Sequence, residues 1–520
     1  MAERFRVTYA TLSDDDPRLH AGYETGVDLA RTWLGATITG HISPGETEDV
    51  PSVEVTSPHD PGVVVSRVRT STDRDIADAI AASARADRSW AATPWRDRLV
   101  IARRVAELIS DRSNELAALM SMENGKNRLE ALGDVEEAAD MIRYYCDQME
   151  ANDGYDHPMA TLNPAERTRS LLRPHGVWAV ICPFNYPMAL SAGPAAAALI
   201  TGNSVVVKPS HHGAHTAAKL FECLREAGVP DGVAVLLPGG DEVGAALVAH
   251  PGVAGVTFTG SSAVGMSIVR DFGVDYPKPV MAEMGGKNPA IVSDKADLDA
   301  AALGVARSAF GFAGQKCSAC SRVYVVAEVY EEFLASLVAV TESLVIGAPT
   351  DRDAFVGPVI DAAAVARYRE AVSHAERNGR IAVGGSVLGG STALPGHYLA
   401  PTVVTDLPVD DPLFHRELFV PLTAVAAVAD LDEALRLANA DPAGLTAGFF
   451  SREQSEIDRF LDRIEAGVVY VNRPAGATTG AWPGVQPFGG WKRSGSTGKA
   501  GGGRYYLPEF MREQSQTVVM

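Results

Sequence analysis

The sequence predicts an α/β protein built around parallel sheets. From Gly176 onward, short apolar strands alternate with helical segments, which is the pattern of parallel strands joined by crossover helices. A second stretch of the same kind begins near Pro279 and runs to about Asn472. The chain has 520 residues, which is too long for one hydrophobic core and predicts two or three structural units.

The part of the chain before Gly176 is predicted to be mainly helical. The first fifty residues are weakly patterned. Thr72 and Asp75 form a capping box, and apolar residues follow at helical spacing from Ile76. Sequences rich in Ala, Leu and Glu predict one helix over 98–122 and another over 128–149.

The alternating part gives four predicted strands and the helices between them. The helices begin near Met188, Ala214 and Glu242. The strands cover residues 177–182, 204–208, 233–237 and 255–258. From Gly484 the chain is rich in glycine, and it ends in a short tail after Arg504. Because no repeat or low-complexity linker interrupts the chain, domain boundaries are predicted only approximately.

The composition excludes several functional classes. Hydrophobic residues make up 46% and charged residues 21% of the chain, which is an ordinary globular balance rather than a disordered one. The formal net charge is −19, which disfavours nucleic acid and anionic membranes as partners. The longest apolar stretch, 177–200, is interrupted by Pro183, Pro187 and Pro194, so it does not predict a membrane helix.

The cysteines predict a reducing compartment. There are five of them, an odd and sparse set that does not form a disulfide framework, and this favours the cytoplasm. The N-terminus lacks the basic and then apolar pattern of a signal peptide. Cys317 and Cys320 have Cys-x-x-Cys spacing, but no second pair accompanies them, so no metal site is expected.

Cys317 is a candidate nucleophile. It follows Gly311, Gly314 and Lys316 in a segment whose glycines allow a tightly turning backbone. The reactive species of a cysteine is the thiolate, and the positive charge of Lys316 is expected to favour it. A buried structural cysteine is the commoner alternative for a single residue.

Two further polar residues stand at predicted strand ends. Asn185, in the proline-framed segment 182–187, carries a carboxamide that could donate hydrogen bonds to an oxyanion. Glu283 precedes Gly285 and Gly286 and could deprotonate a water molecule. The alternatives are a turn asparagine and a solvated glutamate.

A nucleotide site is suggested by two other strand ends. Lys208 ends the apolar segment Ser204–Lys208 and could bind a ribose or a phosphate. Phe258-Thr-Gly260-Ser261 follows a later strand and opens a helix, where a pyrophosphate could approach backbone amides. The segment lacks the full G-x-G-x-x-G pattern, so the motif taken alone is weak.

Taken together and in order, these motifs resemble the aldehyde dehydrogenase superfamily from about residue 50 to the C-terminus. The matching segments are Cys-Pro-Phe-Asn185-Tyr-Pro, Val-Val-Lys208-Pro, Phe258-Thr-Gly-Ser, Glu283-Met-Gly-Gly-Lys, Gly-Gln-Lys-Cys317, Glu417-Leu-Phe419 and Pro487-Phe-Gly-Gly490. Seven motifs in the order of the family are not expected by chance.

The resemblance implies a catalytic and a cofactor site. Cys317 would be the nucleophile, Asn185 and the Cys317 amide the oxyanion donors, and Glu283 the general base for deacylation. The cofactor would be NAD, with NADP possible because His211 stands where NAD-preferring members often carry a glutamate. The cofactor-binding residues would be Lys208, Ser210, His211, Phe258, Gly260, Ser261, Glu417 and Phe419.

The resemblance also implies three domains and a homo-oligomer. The α/β fold would consist of a Rossmann-like parallel-sheet cofactor domain, an α/β catalytic domain and a small β oligomerisation hairpin. The cofactor domain would contain residues 1–150 and 173–280 and the catalytic domain 281–485, while 151–172 and 486–520 would form the oligomerisation segment.

Around Cys317 and over residues 486–502 the sequence is similar to one branch of this superfamily, the 1-pyrroline-5-carboxylate (glutamate γ-semialdehyde) dehydrogenases. This implies a small-molecule aldehyde substrate whose carboxylate is bound by Ser318 and by the backbone of Gly501 and Gly502. The acidic residue near the substrate amine would be Glu137, with Glu130 or Glu136 possible through a small shift in alignment. Tyr186 would be the aromatic residue beside Asn185.

The chain departs from this branch at several positions. Val420 replaces a glycine, Tyr186 a phenylalanine, and Gly503-Arg504 the usual Pro-Asp pair. Arg504 is expected to face solvent. A dehydrogenase for another semialdehyde, of succinate or aminoadipate type, therefore stays an alternative, as does a non-catalytic protein on the same fold.

Overall fold

The computed structural model describes residues 17–40 and 51–520 of the chain. Within these ranges there are fourteen α-helices, none of them long and apolar enough to cross a membrane. The helices are α1 (Pro17–Arg31), α2 (Asp73–Ala92), α3 (Trp95–Asp111), α4 (Ser113–Asn124), α5 (Arg128–Ala151), α6 (Ala189–Ile200), α7 (Ala214–Glu226), α8 (Asp241–Ala249), α9 (Ser262–Asp271), α10 (Leu298–Phe310), α11 (Tyr330–Ser343), α12 (Ala362–Asn378), α13 (Leu431–Ala440) and α14 (Gln454–Arg463).

The described residues also form twenty strands in five sheets. The strands are β1 (Ala36–Ile38), β2 (Ser52–Thr56), β3 (Val64–Arg69), β4 (Asp156–Pro158), β5 (Glu166–Pro174), β6 (Val177–Ile181), β7 (Ser204–Lys208), β8 (Ala234–Leu236), β9 (Gly255–Gly260), β10 (Val280–Met284), β11 (Asn288–Val292), β12 (Cys320–Val326), β13 (Arg380–Val383), β14 (Thr402–Thr405), β15 (Leu422–Val428), β16 (Ala443–Gly444), β17 (Thr446–Phe450), β18 (Val468–Val471), β19 (Trp491–Lys492) and β20 (Met511–Val519).

The first large sheet is parallel throughout, in the order β10-β9-β6-β7-β8. The central strand β6 and its neighbour β7 are almost entirely buried, as expected for apolar strands covered by helices on both faces. Ile181 pairs with both Lys208 and Phe258, and Glu283 pairs with Thr259. The carboxyl ends of these strands therefore meet at one edge, where the predicted site residues lie.

The second large sheet has the order β13-β14-β15-β12-β11-β17-β18, and only β13 is antiparallel to its neighbour. Asn288, the first residue of β11, pairs with Cys320 of β12. This register brings Asn288 beside the segment that contains Cys317.

A three-stranded sheet, in the order β20-β5-β4, joins the two parts of the chain that form the predicted oligomerisation segment. Strand β20 runs antiparallel to β5, from the pair Met511–Pro174 to the pair Val519–Glu166, and β4 lies on the other side of β5. The alternating α/β fold with its parallel sheets confirms the predicted fold class. The domain limits stay a prediction, and the limit placed between residues 280 and 281 falls inside β10.

The local predictions are confirmed except for one helix. The Thr72–Asp75 capping box is present, and α6, α7 and α8 begin within one residue of the predicted starts. The single helix predicted over 98–122 is wrong, because Arg112 (φ −106°, ψ 15°) separates α3 from α4. Helix α3 packs against α5, whereas α4 packs against α1. Helix propensity describes single residues and does not predict that the two halves of this segment pack against different partners.

Helix α1 lies in the segment that the sequence analysis left weakly patterned. Its buried apolar side chains include Leu19, Tyr23, Val27 and Ala30, whose spacing of three and four residues is that of an apolar helix face. This periodicity was the available signal for the helix. Residues 1–16 and 41–50 lie outside the described part of the chain.

Candidate active site

One large cavity, of about 1540 Å³, lies at the carboxyl edge of the first sheet and extends to the second. The structure brings almost all of the predicted site residues to its wall, although they come from segments far apart in the sequence. Only Gly502 of the predicted set is not on this wall. The residues that line it are Glu137, Asn185, Tyr186, Lys208, Ser210, His211, Phe258, Gly260, Ser261, Glu283, Cys317, Ser318, Glu417, Phe419 and Gly501.

Cys317 follows a tight backbone arch, residues 311–316, which we call the Cys317 arch. Phe312, Ala313 and Gly314 have φ values of +50°, +51° and +70°, a left-handed run that is strained for the two residues with side chains. Gly314 is required here because a Cβ would lie 2.3 Å from the carbonyl oxygen of Val420. The arch ends by placing the half-buried Cys317 thiol in the cavity.

The electrostatic surroundings of Cys317 differ from the prediction. Burial raises the pKa of the Cys317 thiol to about 12, and the carboxylates of Glu417 and Glu283 act in the same direction. Lys316 does not supply the expected positive charge, because its Nζ bonds Glu130 at 2.6 Å. A thiol with a raised pKa is mostly protonated near pH 7, so Cys317 has to give up its proton before its sulfur can act as a nucleophile.

Asn185 lies in the connection between β6 and α6, residues 182–188, which we call the Asn185 loop. Its side chain is buried, and Nδ2 donates to the backbone carbonyl of Gln315 in the Cys317 arch at 3.1 Å. This bond joins the two loops and leaves the second amide hydrogen of Asn185 available at the cavity.

Glu283 is the penultimate residue of β10, on the cavity wall. Its Oε2 accepts a hydrogen bond from the N–H of Gly490 at 3.2 Å. Burial raises the pKa of Glu283 well above its ordinary value, and the Gly490 hydrogen bond opposes this only in part. A carboxylate with a raised pKa is a stronger base once it is ionised, as activation of water requires.

Glu417 and Phe419 also line the cavity. Glu417 accepts a hydrogen bond from the N–H of Gly286 at 3.2 Å, and a Cβ on Gly285 would lie 1.9 Å from its Oε2. Phe419 has a φ of +58° and meets the ring of Phe184 edge-on, with 5.9 Å between the ring centroids. The two glycines after Glu283 thus allow Glu417 to approach the strand end.

The predicted nucleotide end contains Lys208, His211 and Ser261. Lys208 Nζ donates to the carbonyl oxygens of Pro209 and Gly239, each at 3.0 Å. His211 Nε2 is buried and has no hydrogen-bond partner, and burial together with the charge of Lys208 lowers the pKa of His211. Ser261 caps α9 through the N–H of Val264, so the helix begins at the cavity.

The three acidic candidates of α5 are separated by the structure. Glu137 lines the cavity. Glu130 also lines it but is paired with Lys316, whereas Glu136 is buried elsewhere and accepts a hydrogen bond from Ser110 at 2.7 Å. Glu130 and Glu137 thus both lie on the cavity wall, and Glu136 does not.

Two predicted substrate donors are already in use. The N–H of Gly501 donates to the carbonyl of Phe488 at 2.8 Å, and the N–H of Gly502 donates to the hydroxyl of Tyr145 at 2.9 Å. Both amides thus donate within the protein, and the contact of this segment with a substrate carboxylate stays a prediction. Ser318 lines the cavity as predicted, and Arg504 is exposed.

Several residues of the site were missed by the sequence analysis. Asn288 Nδ2 donates to the backbone carbonyls of Cys317 and Ala319 at 2.7 and 2.9 Å, which fixes the turn after the arch. Thr478 donates to the carbonyl of Ser318 at 2.7 Å. Asn288 directly follows the Glu283 motif, and this position was the only sequence signal for it.

The sequence profile described as "Aldehyde dehydrogenase family" matches residues 46–516. The chain belongs to the aldehyde dehydrogenase family. The resemblance predicted from the motifs is thereby confirmed.

Individual relatives in this family agree with the branch that the motifs indicated. A 1-pyrroline-5-carboxylate dehydrogenase of Geobacillus sp. (strain WCH70) is 38% identical over 462 residues, covering 88% of this chain and 87% of the relative. An alpha-ketoglutarate semialdehyde dehydrogenase of Haloferax volcanii is 39% identical over 447 residues, covering 86% of this chain and 91% of the relative. A solved 1-pyrroline-5-carboxylate dehydrogenase from Thermus with bound NAD superimposes with a TM-score of 0.93 at 33% identity, and all of each chain is covered.

Proposed function

We propose that the protein oxidises the γ-semialdehyde of L-glutamate, the open form of 1-pyrroline-5-carboxylate, to L-glutamate with NAD or NADP. The observation that carries this proposal is the convergence of Cys317, Asn185 and Glu283 on one cavity that Lys208 and His211 also line. A nucleophile, an oxyanion donor and a base are the groups that aldehyde oxidation through a thioester requires.

The first half of the reaction acylates the enzyme. The Cys317 thiol releases its proton to solvent water, and Sγ forms a bond to the aldehyde carbon while the C=O π electrons move to the oxygen. The oxyanion of the resulting thiohemiacetal accepts hydrogen bonds from Asn185 Nδ2 and from the Cys317 N–H. A bound nicotinamide cofactor supplies the acceptor for the hydride that leaves this carbon. The carbonyl then re-forms as a thioester on Cys317.

The second half of the reaction releases the acid. Glu283 takes a proton from a water molecule, and the hydroxide adds to the thioester carbon. The C–S bond breaks, the Cys317 thiolate leaves, and the carboxylic acid departs. Because Glu283 and Cys317 line the same cavity, one water molecule between them can serve this step.

The nucleotide end fits a dinucleotide. The unpartnered Nε2 of His211 is a buried polar atom beside Lys208, and ribose hydroxyls or a 2′-phosphate would give it a partner. The start of α9 at Ser262 offers backbone amides for a pyrophosphate. A neutral imidazole does not repel a 2′-phosphate, so this site accepts either cofactor.

His211→Glu should shift preference away from NADP. A carboxylate at this position would meet the 2′-phosphate with like charge, at a cost on the order of one kcal/mol if solvated and several if not. The ratio of kcat/KM for NAD to that for NADP should therefore rise about tenfold or more. His211→Gln, which adds no charge, is the matched control. An unchanged ratio in the glutamate variant would show that residue 211 does not contact the ribose.

The acidic semialdehyde is proposed from the site and from the relatives. Ser318 and Glu137 provide a hydroxyl donor and a carboxylate on the substrate side. Such groups match the carboxylate and the ammonium at one end of glutamate semialdehyde. Because a relative at 39% identity is named for alpha-ketoglutarate semialdehyde, a semialdehyde without the amine is the second candidate.

A comparison of specificity constants decides between these substrates. Glutamate γ-semialdehyde should be preferred, with α-ketoglutarate and succinic semialdehydes intermediate and hexanal poorest. Each polar group left without a partner should cost about 1–3 kcal/mol, or roughly 5- to 150-fold. If α-ketoglutarate semialdehyde is oxidised best, the second candidate is correct. If hexanal equals the acids, the acidic-substrate proposal fails while the family assignment stands.

The quaternary structure and location are also proposed. The exposed sheet formed by β5 and β20 is the candidate contact for a homo-oligomer. All five cysteines are free thiols, which supports a reducing cytoplasm. The domain limits derived from the family resemblance complete this proposal.

A further inference from the structure

A buried ion pair lies behind the catalytic loops. Lys126 Nζ is 2.8 Å from Asp134 Oδ2, and neither side chain is exposed to solvent. Burying two charges is unfavourable unless their surroundings compensate, so such a pair is weak evidence for a role in stability. Its place in the fold indicates a different role.

Lys126 lies between the two loops that form the site. Its Nζ is 3.6 Å from the ring centroid of Tyr186 in the Asn185 loop. On the other side it is 5.1 Å from the ring centroid of Phe312 in the Cys317 arch. A cation is attracted to the face of each ring, most strongly where water is excluded. One ammonium group therefore contacts both loops.

The same segment holds the Asn185 loop at two further points. Asp134 Oδ1 accepts the N–H of Ala189, the first residue of α6, at 2.8 Å. Asn124 Nδ2 donates to the carbonyl of Phe184 at 3.0 Å, and Asn124 Oδ1 accepts the N–H of Lys126 at 3.1 Å. The loop is thus bound before, at and after Tyr186, on both sides of Asn185.

The Cys317 arch is fixed independently on its other side. Gln315 Nε2 donates to the carbonyl of Pro358 at 3.3 Å, and its Oε1 accepts the N–H of Ile360 at 2.8 Å. The arch therefore has anchors of its own, whereas the Asn185 loop depends on the segment around Lys126. Movement of the loop would change the distance from Asn185 to Cys317.

We propose that the Lys126–Asp134 pair is a positioning device that sets the Asn185 amide against Cys317, an inference that rests on the proposed role of Asn185 in binding the oxyanion. Neither residue lines the cavity, so the pair acts through the loops and not on substrate. It determines how well the oxyanion is bound and leaves the intrinsic reactivity of the thiol unchanged.

The test uses the full-length enzyme and a neutral replacement of the pair. Lys126→Met alone leaves the Asp134 carboxylate buried without its cation, so the double variant Lys126→Met/Asp134→Asn is made as well. Asparagine is chosen at position 134 because it keeps an acceptor for the Ala189 N–H. Lys219→Met is the matched control, since Lys219 lies 4.2 Å from the ring centroid of Trp33, remote from the site. Each change is also introduced into Asn185→Ala.

The measurements distinguish a change in the position of Asn185 from a disturbance of the whole site. In the double variant kcat should fall about tenfold or more, a part of the roughly 10²- to 10³-fold loss expected when an oxyanion donor is removed. Alkylation of Cys317 by iodoacetamide, which forms no oxyanion, should keep its rate, and cofactor affinity should not change. In the Asn185→Ala background the same change should cost less than about twofold.

Three results would overturn the inference. If replacing the pair lowered kcat by the same factor in the Asn185→Ala background as in the wild-type background, the pair would not act through Asn185. Slower alkylation in proportion to kcat would mean that the whole site is disturbed. An Asn185→Ala variant with unchanged kcat would overturn the proposed oxyanion site itself, and this outcome is read from the single variant alone.

Discussion

Cys317→Ala should abolish aldehyde oxidation while the protein still binds its cofactor. The other cysteine on the cavity wall, Cys182, is buried directly after β6 with its Sγ against the carbonyl of Val180 at 3.7 Å, so it is not expected to replace Cys317 as the nucleophile. The expected loss in kcat is on the order of 10⁴-fold or more, as for removal of a nucleophile that works together with its partners. Cofactor affinity, measured by calorimetry, should be unchanged, because Lys208 and His211, the residues predicted to bind the nucleotide, are left in place.

Cys320→Ala is the matched control for this prediction. Cys320 is a cysteine three residues away, but it is buried at the start of β12 and its Sγ faces the carbonyl of Arg322 at 3.6 Å. It should keep most of the activity and lose only a little stability. Near-normal turnover in Cys317→Ala would show that the nucleophile assignment is wrong. Equal losses of activity in Cys317→Ala and Cys320→Ala would show that the substitutions disturb the structure around β12.

The residues predicted from sequence are those whose position follows from a simple rule of sheet geometry. Asn185, Lys208, Ser261 and Glu283 each stand at or just after a strand end, and carboxyl ends of parallel strands meet at one edge. Family resemblance supplied their roles. The strand pattern alone thus predicted these four positions on the cavity wall.

The contacts behind these residues could not be predicted, because they join distant segments. Glu130 and Lys316 are 186 residues apart, and Asn124 and Phe184 are 60 apart. Lys316 is next to Cys317 in the chain, yet its side chain extends to Glu130, so sequence adjacency gave the wrong electrostatic partner. Which charge faces the thiol is decided by packing.

The substrate side shows the same limit for backbone groups. A glycine-rich segment predicts accessible amides, but it does not tell which of them already have acceptors. Gly501 and Gly502 donate within the protein, to Phe488 and Tyr145. The pattern of glycines therefore does not identify which groups bind a substrate.

Glu283→Gln should give a burst of reduced cofactor followed by a slow phase. The glutamine keeps an acceptor for the Gly490 N–H but cannot take a proton from water. Thioester hydrolysis should slow by about 10²- to 10⁴-fold, the usual contribution of a general base, while hydride transfer continues. Rapid-mixing absorbance measurements would resolve the burst, whose amplitude should approach one reduced cofactor per site.

Glu137→Gln is the matched control, since it removes a carboxylate from the same cavity on the substrate side. It should raise KM for the amino acid semialdehyde and produce no burst. Uniform slowing of both phases in Glu283→Gln would contradict the assigned role, provided that hydride transfer does not already limit the wild-type enzyme.

The pH dependence of deacylation is a second test of Glu283 as the general base. Glu283 acts as a base only when ionised, and burial raises its pKa above the ordinary value. Deacylation in the wild-type enzyme should therefore be weak at low pH and should increase as the pH rises through that raised pKa. The Cys317 thiol, whose pKa is also raised, affects acylation and not hydrolysis of the thioester already formed. In Glu283→Gln the rising limb should be absent from the slow phase, and a limb that persisted there would assign it to another group.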